Sequence, residues 1–250
     1  MTFTRNGIKA VLFDYGNTLI EYGPRQVEAQ YVALEKELCR LFGHCNFSQL
    51  KSIRDHQAVT PYKNAYVEND MKSITGELIE EMYQVAAEDA QIHALVLTRY
   101  QSFVHAIEVT RDVPLLLTKL RNQYRLGLVS NYPCSRSIED SLRKIGLWGI
   151  FEAVVVSGDV GYVKPHIKPF ETVLNHLKLQ PEECVFVGDN WLADIQGAKR
   201  MGMSAILISQ YTPYEEFEPY DGEHQPDATI HHLSELEELL LPVPFVPLVS

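Results

Sequence analysis

The sequence predicts an α/β fold, a doubly wound parallel sheet with an all-helical block inserted after its first strand. Three observations support this prediction. A short apolar run ends at Asp14, residues 21–108 carry only helical patterning, and beyond Arg111 short apolar runs alternate with helical segments. Such alternation is typical of βαβ units, whose strands are buried on both faces. We therefore expect a discontinuous core domain, residues 1–20 and 109–250, with residues 21–108 as a helical cap domain.

The first predicted strand covers residues 8–13, because this short apolar run leads into a turn of polar residues. In the insert, apolar residues recur at three- and four-residue steps over 25–42, which predicts an amphipathic helix closed by Gly43. A second helical pattern covers residues 75–106. We expect irregular chain between the two patterns, near Thr60-Pro61.

The rest of the chain alternates between the two element types. Predicted strands lie at 126–129, 153–156, 184–187 and 205–208, and predicted helices at 137–144, 169–179 and 192–201. A short last helix is expected around residues 235–238, followed by an irregular, proline-rich tail over 241–250.

Composition narrows the classes of partner. The 250 residues are 46% hydrophobic and 22% charged, enough to bury a sizeable core. The net charge of −11 opposes general nucleic-acid binding, which depends on neutralising phosphates with cations. The first residues lack an apolar stretch long enough for a secretory signal, and the four cysteines show no C-x-x-C spacing. We expect a cytoplasmic monomer or homodimer with reduced thiols and neither nucleic-acid nor membrane partners.

Polar residues follow the predicted strands at the sheet edge where open parallel sheets bind ligands. They are Asp14, Ser130, Asn131, Lys164, Asp189 and Asp194. The three carboxylates are hard oxygen ligands of the kind that Mg²⁺ prefers. A carboxylate such as Asp14 can also attack phosphorus or carbon and form a covalent intermediate. Ser130 and Lys164 have the donors that would stabilise an anionic transition state.

The order and spacing of four segments resemble the haloacid dehalogenase superfamily, in the subgroup with a helical cap inserted after the first motif. The segments are Asp14-Tyr15-Gly16-Asn17-Thr18, Leu128-Val129-Ser130-Asn131, Lys164-Pro165 with Phe170, and Gly188-Asp189-Asn190-Trp191-Leu192-Ala193-Asp194. The resemblance spans nearly the whole chain. It implies a hydrolase with its active site between the sheet and the cap.

The resemblance also implies a role for each matching residue. Asp14 would be the nucleophile that forms an aspartyl-phosphate, and Ser130 and Lys164 would be catalytic. Ser130, Asn131 and Lys164 would contact the phosphate of a small phosphorylated substrate. Mg²⁺ would be held by Asp14, Asp189, Asp194 and the backbone carbonyl of Gly16.

One position departs from the family pattern. Phosphatases of the superfamily have a second aspartate where this chain has Gly16, and Asn17 replaces the glycine that usually follows. The missing carboxylate would protonate the leaving group and activate water, help that is typically worth about 10²–10⁴ in rate. Our first hypothesis is a Mg²⁺-dependent phosphatase whose acid comes from the cap, from His166 or Tyr15, or whose substrate needs little protonation.

Two alternatives remain open. Dehalogenase- and phosphonatase-type enzymes also lack the second acid. However, dehalogenases characteristically have tyrosine at the position of Gly16 and need no metal, and phosphonatases use a cap lysine, for which Lys63 or Lys72 would be available. The third hypothesis is a binding or regulatory protein that retains the fold without turnover.

Overall fold

The computed structural model describes residues 3–211 and 224–241. Within these residues, six parallel strands form one sheet in the order β3-β2-β1-β4-β5-β6. The strands are β1 (Ala10–Phe13), β2 (Arg125–Ser130), β3 (Ala153–Val156), β4 (Cys184–Gly188), β5 (Ser204–Ile208) and β6 (Ala228–Ile230). The predicted fold class is confirmed. Because β1 lies between β2 and β4, the carboxyl ends of these three strands meet.

Helices cover both faces of the sheet and form the insert. The insert contains α1 (Pro24–Phe42), α2 (Phe47–Lys63), α3 (Met71–Tyr83) and α4 (Asp89–Ala106). The sheet is covered by α5 (Asp112–Arg121), α6 (Ser135–Lys144), α7 (Ser157–Val160), α8 (Ile167–Leu177), α9 (Gly197–Arg200) and α10 (Leu236–Leu240). In β1, Val11 and Phe13 join the apolar cluster on one face, and Ala10 and Leu12 join the cluster on the other. This two-sided burial explains the uninterrupted apolar run of β1.

The inserted helices have an apolar cluster of their own. Its fully buried members include Leu34, Leu38, Leu50, Ile53, Leu78, Ile79 and Leu95. The last turn of α4 is tied to α6, because the Lys144 ammonium donates to the carbonyl oxygens of Val104, His105 and Ile107 over 3.0, 2.6 and 2.8 Å. A cation at a helix C-terminus satisfies carbonyls that have no partner within the helix.

A second link joins the insert to the sheet. The loop after α2 contacts the loop after α7 through two backbone hydrogen bonds. Glu68 N–H donates to Gly161 O over 3.0 Å, and Val163 N–H donates to Tyr66 O over 2.9 Å. We call this contact the loop junction. It holds the insert against the edge of the sheet at which the strands end.

Two predictions for the insert were wrong in detail. Pro61 lies within the last turn of α2 rather than in irregular chain. A proline there cannot donate to the carbonyl of Gln57, but the side-chain amide of Asn69 does so instead, over 2.8 Å. The helical pattern over 75–106 is divided between α3 and α4, because Gln84 turns into the left-handed region at φ 56° and ends α3.

Differences also occur nearer the C-terminus. The segment predicted as one helix over 192–201 begins as a π-helical turn, Trp191–Gln196, because the Asn190 carbonyl accepts from both Asp194 N–H and Ile195 N–H. Two further elements, α5 and the three-residue strand β6, were not predicted. Residues 242–250 of the predicted tail lie outside the described residues. Among those that are described, no helix is both long and apolar enough to cross a membrane.

Candidate active site

The ends of β1 and β4 bring three carboxylates together, as the sequence predicts. Asp14 directly follows β1, Asp189 directly follows β4, and Asp194 lies in the π-helical turn beyond it. One carboxylate oxygen from each residue lies within 4.8 Å of the others. Asp194 is buried, Asp14 is 8% exposed and Asp189 is partly exposed. This grouping has the donor type and the spacing that a hard divalent cation requires.

Lys164 binds two of these carboxylates. Its ammonium donates to Asp14 Oδ1 over 2.6 Å, to Asp194 Oδ1 over 2.7 Å and to the Val129 carbonyl over 2.8 Å. Burial lowers the pKa of Lys164, but the two carboxylates outweigh this and raise its pKa above the ordinary lysine value. Three protein acceptors match the three N–H donors of an ammonium. The arrangement therefore fixes Asp14 and Asp194. A direct contact of the Lys164 ammonium with substrate would replace one of these three hydrogen bonds.

Asp194 reaches the site because β4 ends in glycine. A Cβ at Gly188 would lie only 2.4 Å from Asp194 Oδ2. The Asn190 N–H also donates to Asp194 Oδ2, over 3.0 Å. Burial raises the pKa of Asp194 to about 6, Lys164 opposes this increase, and the charge of Asp14 adds to it.

Ser130 and Asn131, at the end of β2, occupy different positions in the site. Ser130 lines a cavity of about 150 Å³ that also contains Asp14 and Gly16, and its hydroxyl has no hydrogen bond within the part of the chain described. Asn131 instead accepts from Lys164 N–H over 2.8 Å and donates to the Lys164 carbonyl over 3.0 Å. Its amide also approaches the Tyr62 hydroxyl of α2, at 3.4 Å. Asn131 thus connects β2, Lys164 and the insert.

The loop after Asp14 explains one departure from the family pattern. Asn17 has a φ of 55°, in the left-handed region that favours glycine and tolerates asparagine. Its side-chain oxygen accepts from Tyr22 N–H over 2.9 Å. At Gly16, a Cβ would make an ordinary contact at 3.5 Å with Tyr22 Cβ. The first atom of a side chain therefore fits at position 16.

The two predicted substitutes for the missing acid have other partners. The Tyr15 side chain is buried and its hydroxyl is hydrogen-bonded to Ser141 Oγ over 2.8 Å, and burial raises its pKa well above the ordinary tyrosine value. His166 accepts from Lys168 N–H at the start of α8, and its ring stacks on Tyr162. Neither side chain forms a hydrogen bond with Asp14 or Asp194 in residues 3–211 and 224–241. These contacts favour structural roles for both.

The lysines considered for phosphonatase chemistry are also placed away from the site. Lys63 and Lys72 are both exposed, and neither lines the cavity at Asp14. This placement does not support a Schiff base at the active site.

A second cavity, of about 200 Å³, adjoins the cavity at Asp14. The two share Tyr22, Asn131 and Tyr132 in their walls. Arg54 and Arg99, from the insert, line the second cavity. These arginines have no signal in the sequence, because each is an ordinary helix residue and no local motif relates them.

A family model, the haloacid dehalogenase-like hydrolases, matches residues 44–208. The chain belongs to this family. The fold, the inserted helices and the order of the strand-end residues agree with this assignment, and the chain is accordingly a hydrolase.

Similar proteins include two archaeal enzymes named glyceraldehyde 3-phosphate phosphatase. The one from Methanopyrus kandleri is 28% identical over 93% of this chain and 97% of its own length. The one from Methanothermobacter thermautotrophicus is 36% identical, but the match covers only 47% of this chain and 51% of that relative. A crystal structure of a 2-haloacid dehalogenase from Pseudomonas syringae pv. Tomato is 25% identical, with a TM-score of 0.71 over 93% of this chain and 97% of that chain.

Proposed function

We propose that this hydrolase is a magnesium-dependent phosphatase that removes the phosphoryl group from a small phosphorylated metabolite through an aspartyl-phosphate on Asp14. The observation that carries the proposal is the group of three carboxylates around Asp14, with oxygens within 4.8 Å of one another. A dehalogenase that expels halide needs no such group. The names of the two archaeal relatives support phosphatase chemistry, whereas the Pseudomonas neighbour keeps dehalogenation as the alternative.

The residues at the strand ends fit Mg²⁺. Asp14, Asp189 and Asp194 would hold it, with the Gly16 carbonyl as the further ligand implied by the family resemblance. When bound, the ion would supply positive charge that offsets the repulsion between the Asp14 carboxylate and an anionic phosphate. The carboxylates alone provide the donor set, so the fit does not depend on the side chain missing at position 16.

In this proposal Asp14 is the nucleophile. Lys164 binds Oδ1, and Oδ2 has no hydrogen-bond partner among the described residues. Oδ2 would form the bond to phosphorus while the bond from phosphorus to the substrate oxygen breaks and that oxygen takes the electron pair. The Ser130 hydroxyl, which lines the same cavity, would donate to a phosphoryl oxygen. Water would then attack phosphorus, releasing phosphate and restoring Asp14.

The leaving oxygen must acquire a proton from a group other than residue 16. The Tyr62 hydroxyl of the insert accepts from Asn131 Nδ2 over 3.4 Å and lines the adjoining cavity, and its own O–H would be the donor nearest to Asn131 from the insert. In this proposal residues 21–108 act as a cap over a core formed by residues 1–20 and 109–250. Closure of the cap would exclude water and select the substrate.

The decisive test is pre-steady-state hydrolysis of p-nitrophenyl phosphate with Mg²⁺, since its leaving group needs almost no acid. We expect a burst of nitrophenol that Asp14→Asn abolishes. Gly16→Asp should accelerate steady-state turnover by about 10²–10⁴-fold, because it supplies the missing base that activates water in the second step. Asp159→Asn, which changes an exposed carboxylate, is the matched control and should behave as wild type.

Other outcomes would contradict the proposal. If neither wild type nor Gly16→Asp shows release that depends on Asp14, phosphatase chemistry is wrong. Halide release from 2-haloacids would then establish the dehalogenase alternative. Absence of both activities would leave a binding protein.

A further inference from the structure

The cavity next to the Asp14 site has an unusual wall. It is formed mainly by the insert, with residues of both α2 and α4, and it shares Tyr22, Asn131 and Tyr132 with the cavity at Asp14. A small molecule whose phosphate lies at Asp14 would therefore extend its other end toward α2 and α4. The side chains at that end determine which substrates fit.

Arg99 of α4 is buried and forms no ion pair within the described residues. It is only 4% exposed, yet its guanidinium forms no hydrogen bond and no ion pair with any residue the structure describes. Its Nε is completely buried and unpartnered. A buried guanidinium in this condition is costly unless something outside the chain completes its hydrogen bonds.

Arg54 of α2 lines the same cavity. One of its terminal nitrogens donates to Gln57 Oε1 over 2.8 Å, but its Nε is also buried without a partner. Burial lowers the pKa of both arginines, and the charge of Arg54 lowers that of Arg99 further, to about 9. Guanidinium groups stay protonated in proteins, so two of them lining one cavity repel each other.

One carboxylate, that of Glu68, is present in the wall. It accepts from Ser157 Oγ and, over 2.7 Å, from Asn69 N–H. Burial raises the pKa of Glu68 and the charge of Arg99 acts to lower it, but among the described residues no ion pair or hydrogen bond joins Glu68 to either arginine, and Nε of both arginines stays unpartnered. Glu68 therefore does not supply the missing partner.

We propose that Arg54 and Arg99 bind a second anionic group of the substrate, a carboxylate or another phosphate, while the scissile phosphate lies at Asp14. A guanidinium presents a planar fork of donors that matches the oxygens of either group. An anion between the two arginines would remove their mutual repulsion and satisfy their free N–H groups. This inference rests on the proposed phosphatase function for the position of the first phosphate. It restricts the substrate class to metabolites that carry a second anionic group besides the scissile phosphate.

Binding of phosphonates tests the proposal without turnover. Calorimetry with Mg²⁺ would compare 3-phosphonopropionate with propylphosphonate, which replaces the carboxylate by a methyl group. We expect wild type to prefer the first by about 10–100-fold. Arg54→Met and Arg99→Met should each remove most of this preference. Arg40→Met, which removes an exposed arginine of α1 and the same charge, should keep it.

The same measurement with propane-1,3-bisphosphonate distinguishes the two candidates for the second group. A stronger preference for the bisphosphonate would indicate a phosphate, and a stronger preference for 3-phosphonopropionate would indicate a carboxylate. Equal binding of propylphosphonate, 3-phosphonopropionate and propane-1,3-bisphosphonate by wild type would overturn the inference. If Arg99→Met fails to fold, Arg99→Lys replaces it, and a preference that is unchanged in Arg99→Lys and in Arg54→Met would also overturn it.

Turnover separates this inference from the proposed function. Release of phosphate would be compared for 3-phosphoglycerate and glycerol 3-phosphate, which differ in a carboxylate and an alcohol. Hydrolysis of both at equal kcat/KM would support the phosphatase function and reject the second anion site. A clear phosphonate preference that depends on Arg99, with no hydrolysis of any ester, would support the anion site and reject the phosphatase function.

Discussion

The molecule has two groups of buried charges, and they differ in how completely they are partnered. At the sheet edge, the Lys164 ammonium has three acceptors, two of them the carboxylates of Asp14 and Asp194. In the insert, Arg54 and Arg99 share a cavity with buried donors that have no acceptor. The charges at the sheet edge are therefore paired before any ligand binds. In our proposal, the arginines of the insert are paired only when an anionic ligand binds.

This difference predicts opposite responses to mutation. Removing a charge from the partnered group leaves its partners buried and uncompensated, which destabilises the fold. Removing a charge from the unpartnered group removes a desolvation cost from the folded state, so it should stabilise the fold. Stability measurements without ligand can therefore test the comparison independently of any activity.

Lys164→Met should give the largest effect. It leaves Asp14 and Asp194 side by side without a cation, so we expect the free energy of unfolding to fall by about 3–5 kcal/mol in EDTA. Urea unfolding measures this change. Lys168→Met, at an exposed lysine of α8, is the matched control and should change stability little. A loss as small as the control's would show that the buried pair does not organise the site.

Addition of Mg²⁺ should give the second-largest effect on stability, by stabilising the sheet edge. An ion that binds only the folded protein at 100 times its Kd adds about 2.7 kcal/mol, measured as an increase in Tm. Asp189→Asn should abolish most of this increase, because it removes one of the three grouped carboxylates. NaCl at equal ionic strength is the control. An equal shift with NaCl would contradict a specific metal site.

Arg99→Met should make the ligand-free protein more stable, by about 1–4 kcal/mol, since replacing a buried charge by an apolar side chain of similar length removes its desolvation cost. Chemical denaturation would be compared with that of Arg40→Met, whose arginine is exposed and paired with Glu37. A decrease in stability would mean that Arg99 holds the insert together, and the contrast between the two groups would fail.

Tyr15→Phe should give the smallest effect. It removes a partnered hydroxyl, which contributes about 1 kcal/mol, while Ser141 keeps its bond to the Ile138 carbonyl. Hydrolysis of p-nitrophenyl phosphate should remain at the wild-type rate, because the Tyr15 hydroxyl bonds within the core rather than to Asp14. A large loss of hydrolysis with normal stability would make Tyr15 the acid after all.

Much of the sheet and of its polar edge could be predicted from the sequence, because both depend on local patterns. Buried parallel strands are short apolar runs, and the topology places the residues after them at one edge. Asp14, Lys164 and Asp194 were therefore identified before their contacts were known. The strand β6 was missed because three residues are too few to show a pattern.

The cavity in the insert could not be predicted in this way. Arg54 and Arg99 lie on different helices, and only the packing of α2 and α4 brings them to one cavity. Local signals failed at Gln84 too, where a left-handed residue that is not glycine ends α3. For the arginines, the determining interactions are between segments far apart in the chain.

In the proposed function, the loop junction would also affect how fast ligands enter and leave. Its two bonds tie the amide protons of Glu68 and Val163 to carbonyls across the boundary between insert and sheet. Separation of the two loops would expose both protons to solvent, so the rate of their deuterium uptake reports how often this boundary opens. If product leaves through this boundary, as cap closure in the proposed function requires, it would escape no more often than the boundary opens. Where chemistry is faster, the time the product stays bound would set the turnover number.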